Sequence, residues 1–553
     1  LDFITEGLSI FGAVSFSSVL TSGYDKTRSY AYYEPITTIS STSQDSLYFL
    51  ERGVDTDLTV YTGYNYENNR TNFQGGINYE GAFGDHTLDI LGMYHQDLYS
   101  AIGSQAPYVF QNIMGRVSYG FKQKYFAEIG FSYSGSELYA PGKRFGFFPA
   151  VSAGWLIHKE NFWKENSTLT YLKLRGSAGL IGNDRGTPRF NYNQYWGTAR
   201  SEGYYFGTGS QFYNALIELQ RANPDITWEK ALMYNAGLET KWLNNKLSVN
   251  VDVFYEDRYD ILVNMGNVLS AISGVNSAAR VNKGKVVNYG TEVEAMFRDI
   301  TGDLEYFLGS HFSFARNKIT ASYEIPKKEE YSEREGNPVN QYYGLEAIGF
   351  FRDESDIISS PVQTFSKVRP GDLKYKDQNN DGIIDVNDEV PIGRHSYPEI
   401  GFALNAGIAY KGFDLKLLFD GTANRSVYLN GYMFWPFVNN ANISKWAAEG
   451  RWTPETHAQA TFPRLTTMPN ANNYRASTFW VRDVSQLRLR NAELGYTLPR
   501  GVLNKYGIEH LRIFVSALNL ISWDDLAVNV HPETLNMGYP AMRTYSAGVK
   551  VNF

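Results

Sequence analysis

Apolar and polar side chains alternate strictly over strand-length segments, and this pattern limits the chain's possible folds more than any other feature. From Lys246 to Tyr259, Leu247, Val249, Val251, Val253 and Tyr255 alternate with Ser248, Asn250, Asp252, Phe254 and Glu256, giving one apolar and one mostly polar face on a pleated strand. The preceding segment sets Tyr234, Ala236, Leu238, Thr240 and Trp242 against Asn235, Gly237, Glu239 and Lys241, and Leu243-Asn244-Asn245 between the two reads as a tight hairpin turn. The pattern recurs at Tyr125, Ala127, Ile129, Phe131 and Tyr133, and again at Phe402, Leu404, Ala406, Ile408 and Tyr410. After a turn at Lys411-Gly412 it returns as Phe413, Leu415, Leu417 and Phe419.

A water-soluble sandwich would alternate in the same way, so the connections must separate the two readings. Counted back from the C-terminus, short links fall near 499–510, 411–412, 298–303, 243–245, 159–169, 122–123 and 84–85. Long ones fall near 521–541, 424–479, 319–398, 260–285, 182–230 and 135–146. Short turns on one rim and long loops on the other are the mark of an outer-membrane barrel. The count gives roughly sixteen strands, most reaching the 9–11 residues that a tilted membrane strand needs. Residues 19–70 fall out of register and are expected to form an extended outer loop with its own hairpin. Between Gln486 and Tyr496 the apolar phase slips, which predicts a bulge.

Composition agrees with strands. Of 553 residues, 41 are Tyr, 34 Phe and 50 Gly, types that favour pleated strands and their turns. With no cysteine, disulfide frameworks, thiolate zinc sites and thiol nucleophiles are excluded. A net charge of −7 with interspersed signs argues against a nucleic-acid groove. Mean hydropathy is −0.36 and no apolar run approaches the roughly 18 residues of a spanning helix, which leaves a barrel untouched because only alternate residues face lipid. The sequence starts at Leu1 with no leader-like segment, so upstream sequence is expected. No tandem repeat or linker divides the chain, and 1–553 reads as one barrel domain. The last strand places Tyr545, Ala547, Val549, Val551 and terminal Phe553 on one face, resembling the C-terminal signature of outer-membrane proteins.

One segment carries chemistry. Asp377, Asn379, Asp381, Gly382, Ile383, Asp385 and Asp388 have the spacing of an EF-hand loop: oxygen ligands at alternate positions, a glycine at the sharp turn, and a backbone carbonyl from Ile383. Asp388 stands where the bidentate Glu is usual. Ca²⁺, or the smaller Mg²⁺, is the expected ion, with a brace for an outer loop as its role; the alternative is an acidic surface turn that binds nothing. The eight His residues are scattered without zinc spacing, and no Walker loop, G-x-S-x-G elbow or H-E-x-x-H is present, so no catalytic residues are assigned and no enzymatic activity is expected. Aromatic clusters in two long loops, Tyr204, Tyr205, Phe206, Phe212 and Tyr213 in one and Tyr432, Phe434, Trp435 and Phe437 in the other, read equally as glycan-stacking platforms, as packing between loops, or as a partner surface.

The segment RPGDLKYKDQNNDGIIDVNDEVPIG at 369–393 closely resembles the characteristic loop of SusC/RagA-like outer-membrane proteins, and LRLRNAELGYTLP at 487–499 resembles the strand and turn near that family's end. Weaker likenesses are ITWEKALMYNAGLE at 226–239, GTEVE at 290–294 and YKGFDLKLLFDG at 410–421. The resemblance implies an all-β transmembrane antiparallel barrel of about 22 strands with an N-terminal plug, of which about sixteen strands are present here, the plug and first strands being absent. It further implies TonB-dependent import of glycans or peptides across the outer membrane of a Gram-negative bacterium. A SusD-like surface lipoprotein would act as lid, TonB would act through the missing N-terminal region, and outer-membrane lipid would surround the barrel. Two other readings stay open within the barrel class: a siderophore or cobalamin receptor, and a barrel that only displays loops or adheres. Outside it stands a soluble calcium-dependent carbohydrate-binding or hydrolytic protein.

Overall fold

The computed structural model describes residues 5–38, 46–61, 65–102, 106–164, 168–265, 279–431, 433–438, 442–503, 507–526 and 541–553. Sixteen strands form one sheet whose spatial order follows the chain. They are β1 (Leu8–Ser22), β2 (Asn65–Phe83), β3 (His86–Ala101), β4 (Tyr108–Phe121), β5 (Tyr125–Ser136), β6 (Phe145–Leu156), β7 (Leu169–Asn183) and β8 (Glu229–Trp242). The series continues with β9 (Leu247–Asn264), β10 (Arg280–Thr301), β11 (Leu304–Ala321), β12 (Ile400–Tyr410), β13 (Phe413–Ala423), β14 (Gln486–Thr497), β15 (His510–Asp524) and β16 (Thr544–Asn552). Two compact units divide the chain, one of residues 1–81, 89–116 and 131–147, the other of 82–88, 117–130 and 148–553.

In the first unit, β1 pairs antiparallel with β2 from Leu8↔Tyr79 to Ser22↔Asn65. Both strands therefore reach into the segment expected to be loop. Within that loop Tyr32–Thr38 pairs with Ser46–Arg52, the expected hairpin, and Asp25–Thr27 pairs with Thr59–Tyr61.

In the second unit the expected turns stand where sequence chemistry permits them. Lys122-Gln123 and Lys411-Gly412 both have two residues at positive φ, the backbone that a two-residue hairpin needs to match strand twist. Strands β9 and β10 run further than alternation shows, shortening their link to 265–279. A short outer link at 102–107, which the pattern does not reveal, joins β3 to β4. The expected bulge falls at Arg490: Leu489 and Asn491 oppose Phe419 and Leu418, leaving Arg490 without a partner on β13.

Register sets the two faces. Val251 on β9 stands opposite Leu238 on β8 and Val293 on β10, and Val293 opposite Phe312 on β11. Leu404 on β12 meets Phe419, Leu415 on β13 meets Leu494, and Leu494 meets Val515 on β15. Val253, Leu494 and Val515 are about half exposed, at 50%, 51% and 52%, so the apolar face has no protein cover. A face that large and that apolar needs a nonpolar solvent. At the short-turn rim it ends in aromatic pairs: Phe121 with Tyr125 and Tyr125 with Trp155, both stacked, then Phe297 with Tyr306 and Phe413 with Tyr496. The Lys411 ammonium lies 5.2 Å from the Tyr410 ring. Rings that carry polar tips beside lysines form the belt expected where hydrocarbon meets headgroups.

The inner face and the two-loop body

The polar face is tied by charges that reach across glycines. Arg175 on β7 donates to Asp252 on β9 at 2.6 Å, passing over Gly237 of the intervening β8, where a Cβ would lie 2.6 Å from the guanidinium carbon. The same arrangement recurs where Arg512 on β15 spans Gly495 on β14 to reach Asp414 on β13, with Glu493 accepting from Arg512 at 2.6 Å. Side chains that cross a strand in this way need its glycine. Between the two ties lies a shallow cavity of about 580 Å³ lined by Arg175, Asp252, Glu292, Glu294, His311 and Asp420 among others. This face is charged, as the wall of an aqueous lumen must be.

At the long-loop end, the segments 322–399 and 424–485 fold into one body with two apolar cores. Trp480, Phe462, Phe434, Leu429, Val427 and Val484 form one; Leu345, Leu373, Tyr375 and Ile384 form the other; Phe479 packs against both. Trp480 is fully buried, stands edge-on to Phe462 and Phe479, and donates its indole N–H to the Asn473 carbonyl at 2.6 Å. The segments are joined by a polar node. Asp372, fully buried, accepts from Asn470 and Asn473 at 2.9 Å each and from the Arg369 backbone, while the Arg464 guanidinium lies 2.8 Å away. Gln363 and Asn472 extend the node by bonding each other and the Leu373 carbonyl. Burial raises the Tyr375 phenol above its ordinary range, and its hydroxyl donates to the Asn472 carbonyl.

The acidic loop lies on this body. Gly382 has φ +83, as the spacing requires. Asp377 accepts the N–H groups of Asn380 and Gly382, Asn379 that of Asp381, and Asp381 that of Ile383. Asp385 accepts from the Asn387 N–H, and fully buried Asp388 from the N–H groups of Gln378 and Asp385. Ile384 is buried, while Ile383 pairs with Val362 in a two-residue parallel bridge. The carboxylates thus turn toward backbone amides, and among the described residues no three His, Asp or Glu side chains converge as a metal donor set. Negative potential still concentrates there. Burial first, and then Glu329, Asp388, Asp377 and Asp381, push the Tyr331 phenol up to about 12.

The aromatic clusters separate. Tyr204, Tyr205, Phe206 and Tyr213 are exposed near the tip of a hairpin formed by Tyr195–Phe206 and Gln211–Gln220, with Phe212 edge-on to Tyr205. Phe434 is core, and Trp435 stacks on Tyr474 with ring centroids 5.1 Å apart, so packing within the 424–485 segment accounts for both. Phe437 takes a positive φ, and Tyr432 lies outside the described residues. Sequence reasoning missed the Asp372 node; its partners come from about a hundred residues downstream, where Asn470, Asn472 and Asn473 are the visible trace.

A family model described as TonB dependent receptor-like, beta-barrel matches residues 8–520. TonB-dependent receptor P3 of Formosa agariphila is 26% identical over 560 residues, covering 95% of this chain and 53% of that protein. TonB-dependent receptor SusC of Bacteroides thetaiotaomicron is 24% identical over 423 residues, covering 73% of this chain and 40% of that protein. The chain therefore spans about half the length of the curated relatives it matches. The solved structure of the RagAB peptide transporter superposes with a TM-score of 0.75 at 19% identity, over 99% of this chain and 60% of that one, and shows a shared fold. These matched proteins are receptors and transporters, not enzymes. This chain, an antiparallel wall with one greasy and one charged face, belongs to the TonB-dependent receptor family of outer-membrane β-barrels.

Proposed function

We propose that the chain forms the larger part of the barrel of an importer of the SusC/RagA kind, drawing oligosaccharides or peptides across the outer membrane with energy from TonB and with a SusD-like lipoprotein over its outer mouth. The observation that carries this reading is the folded two-loop body at the long-loop rim, above a charged inner wall. A barrel built only to display loops has no need of such a lumen. The names of two similar proteins, SusC and the RagAB peptide transporter, support the same branch. The test is uptake by cells of the native host. Deleting the gene, or disabling TonB, is expected to abolish accumulation of a labelled peptide or oligosaccharide pool, and restoring the full-length receptor to recover it. Unchanged uptake in the deletion strain would remove the proposal. Uptake lost only for iron chelates or cobalamin would replace it with a metal-chelate receptor.

The acidic loop is proposed to take Ca²⁺ through Asp377, Asn379, Asp381, the Ile383 carbonyl, Asp385 and Asp388, bracing the loop body without taking part in chemistry. Asx turns hold these side chains on one short loop without yet converging them, and each carboxylate oxygen that accepts one N–H keeps a lone pair for a cation around which the loop would tighten. Because Asp388 replaces a bidentate Glu and is engaged by two amides, affinity should lie near the weak end for such loops, about 10⁻⁴–10⁻³ M. Titrating Ca²⁺ should slow limited proteolysis across 376–389 with that midpoint, and Asp381→Ala should abolish the effect. Cleavage that is indifferent to Ca²⁺ would leave the loop an acidic turn.

A further inference from the structure

Four chain segments meet where the two-loop body joins the sheet: β11 at Arg316, residues 393–399, residues 424–428, and residues 481–486. The joint is polar, with Glu399 and His395 buried and the Arg316 and Arg394 side chains reaching the surface. Glu399, 5% exposed, accepts both arms of Arg316 at 2.7 Å, with Asn424 at 3.3 Å and Arg394 at 3.8 Å. The Ala315 N–H donates to the Glu399 carbonyl, and the Glu399 N–H to the Asn424 carbonyl. The Ser426 N–H donates to the His395 carbonyl; its hydroxyl accepts from the Arg394 N–H and donates to Asp483. His395 sits within this knot, 4% exposed, and among the described residues neither ring nitrogen has a hydrogen-bond partner. Its Nε2 lies 3.6 Å from Glu399 Oε1, too far for a hydrogen bond and near enough to become one.

A neutral imidazole carries one donor and one acceptor, and burying both unmet is unfavourable. Adding a proton gives the ring two donors and a positive charge, and the nearest acceptor is the carboxylate that anchors Arg316. The charged groups around the ring are Glu399 and Arg394 on its own segment, Arg316 from β11, Arg425 beside Ser426, and Asp483 beyond the Ser426 hydroxyl. Three guanidinium groups and two carboxylates already stand there, so an imidazolium must compete for Glu399 rather than find a vacant acceptor.

We propose that His395 is a pH-responsive latch: protonation draws Glu399 Oε1 from the Arg316 fork to His395 Nε2 and loosens the seat of the two-loop body on β11. Histidine changes charge between about pH 5 and 8, which sets the range to examine. The measurement is hydrogen exchange by mass spectrometry on the full-length receptor in nanodiscs, with exchange times scaled for the intrinsic pH dependence. Amides of peptides containing Ala315, Glu399 and Ser426 should lose protection by roughly fivefold or more between about pH 8 and pH 5, at the lower end of coupling between two states. His395→Gln, which stays polar and never charges, should show protection independent of pH, and so should His395→Asn if the glutamine variant fails to assemble. Equal loss of protection in wild type and variant, or none in wild type, overturns the latch. As a second readout, ¹³Cε1-histidine resonances should include one that is absent from the variant and that titrates together with the exchange; a ring that never titrates also overturns it.

Discussion

Replacing Asp372 with alanine is expected to unfold the two-loop body while leaving the sheet assembled. The carboxylate is fully buried and meets Arg464, two asparagine amides and one backbone N–H. Removing it strands a mostly buried guanidinium and leaves three further donors without an acceptor. Breaking a buried charge pair from one side costs about 3–5 kcal/mol, and the stranded amides add to that. The loss falls on the contact that joins residues 369–373 to 464–473, so Trp480 and its ring partners should lose their cover as well. Limited proteolysis should open 338–399 and 424–485 at protease levels that spare the wild type, while the strands between and around them keep their resistance to detergent and heat on gels. Asp372→Asn, which keeps shape and two acceptor lone pairs, should fall between the two. If Asp372→Ala cleaves no faster than wild type, the node does not hold the loops together.

The Asp372 node also marks where sequence reasoning stops. The strands were legible because period-2 alternation is a local property: Val249, Val251 and Val253 declare a face without reference to any partner. The turns were legible because Gly412, and the Asn residues at 244 and 245, belong where φ must be positive. Even the slip at Arg490 showed, since a single extra residue reverses the phase of everything after it. None of this helps in a loop with no period. Asp372 and Asn473 are 101 positions apart, and only a fold that returns there makes them neighbours. The ties across the inner face were hidden for the same reason. Arg175 and Asp252 stand 77 positions apart, and nothing local marks Gly237 as the gap through which they meet. In the acidic loop the spacing alone does not choose between two uses, because an Asx turn and a cation ligand call for the same side chain at the same place.

Placing an arginine at Val251 or at its neighbour Asn250 should separate the two solvents that the alternating pattern implies. Both residues lie on β9, one peptide apart, and the difference in strand propensity between Val and Asn, about 1 kcal/mol at most, is smaller than the effect expected from the two solvents. Val251 faces Leu238 and Val293 on the uncovered apolar side, and Asn250 faces Glu239 and Glu294 on the charged side. With hydrocarbon against the first face and water against the second, Val251→Arg should destabilise the folded barrel by about 2–4 kcal/mol, the cost of an arginine near the bilayer midplane. Asn250→Arg should cost little, since its guanidinium would point into water beside two carboxylates. A water-soluble sandwich closed on its apolar side would also reject Val251→Arg, so the solvent itself must be varied. In the barrel, the penalty at Val251 should fall as the substituted position approaches the rim, because a long cationic side chain reaches the headgroups from there. Val249→Arg, two residues nearer the aromatic belt, should therefore be milder than Val251→Arg in urea titrations of refolding into vesicles. A packed dry core has no such depth gradient, and equal penalties at positions 249 and 251 would contradict a lipid-facing strand.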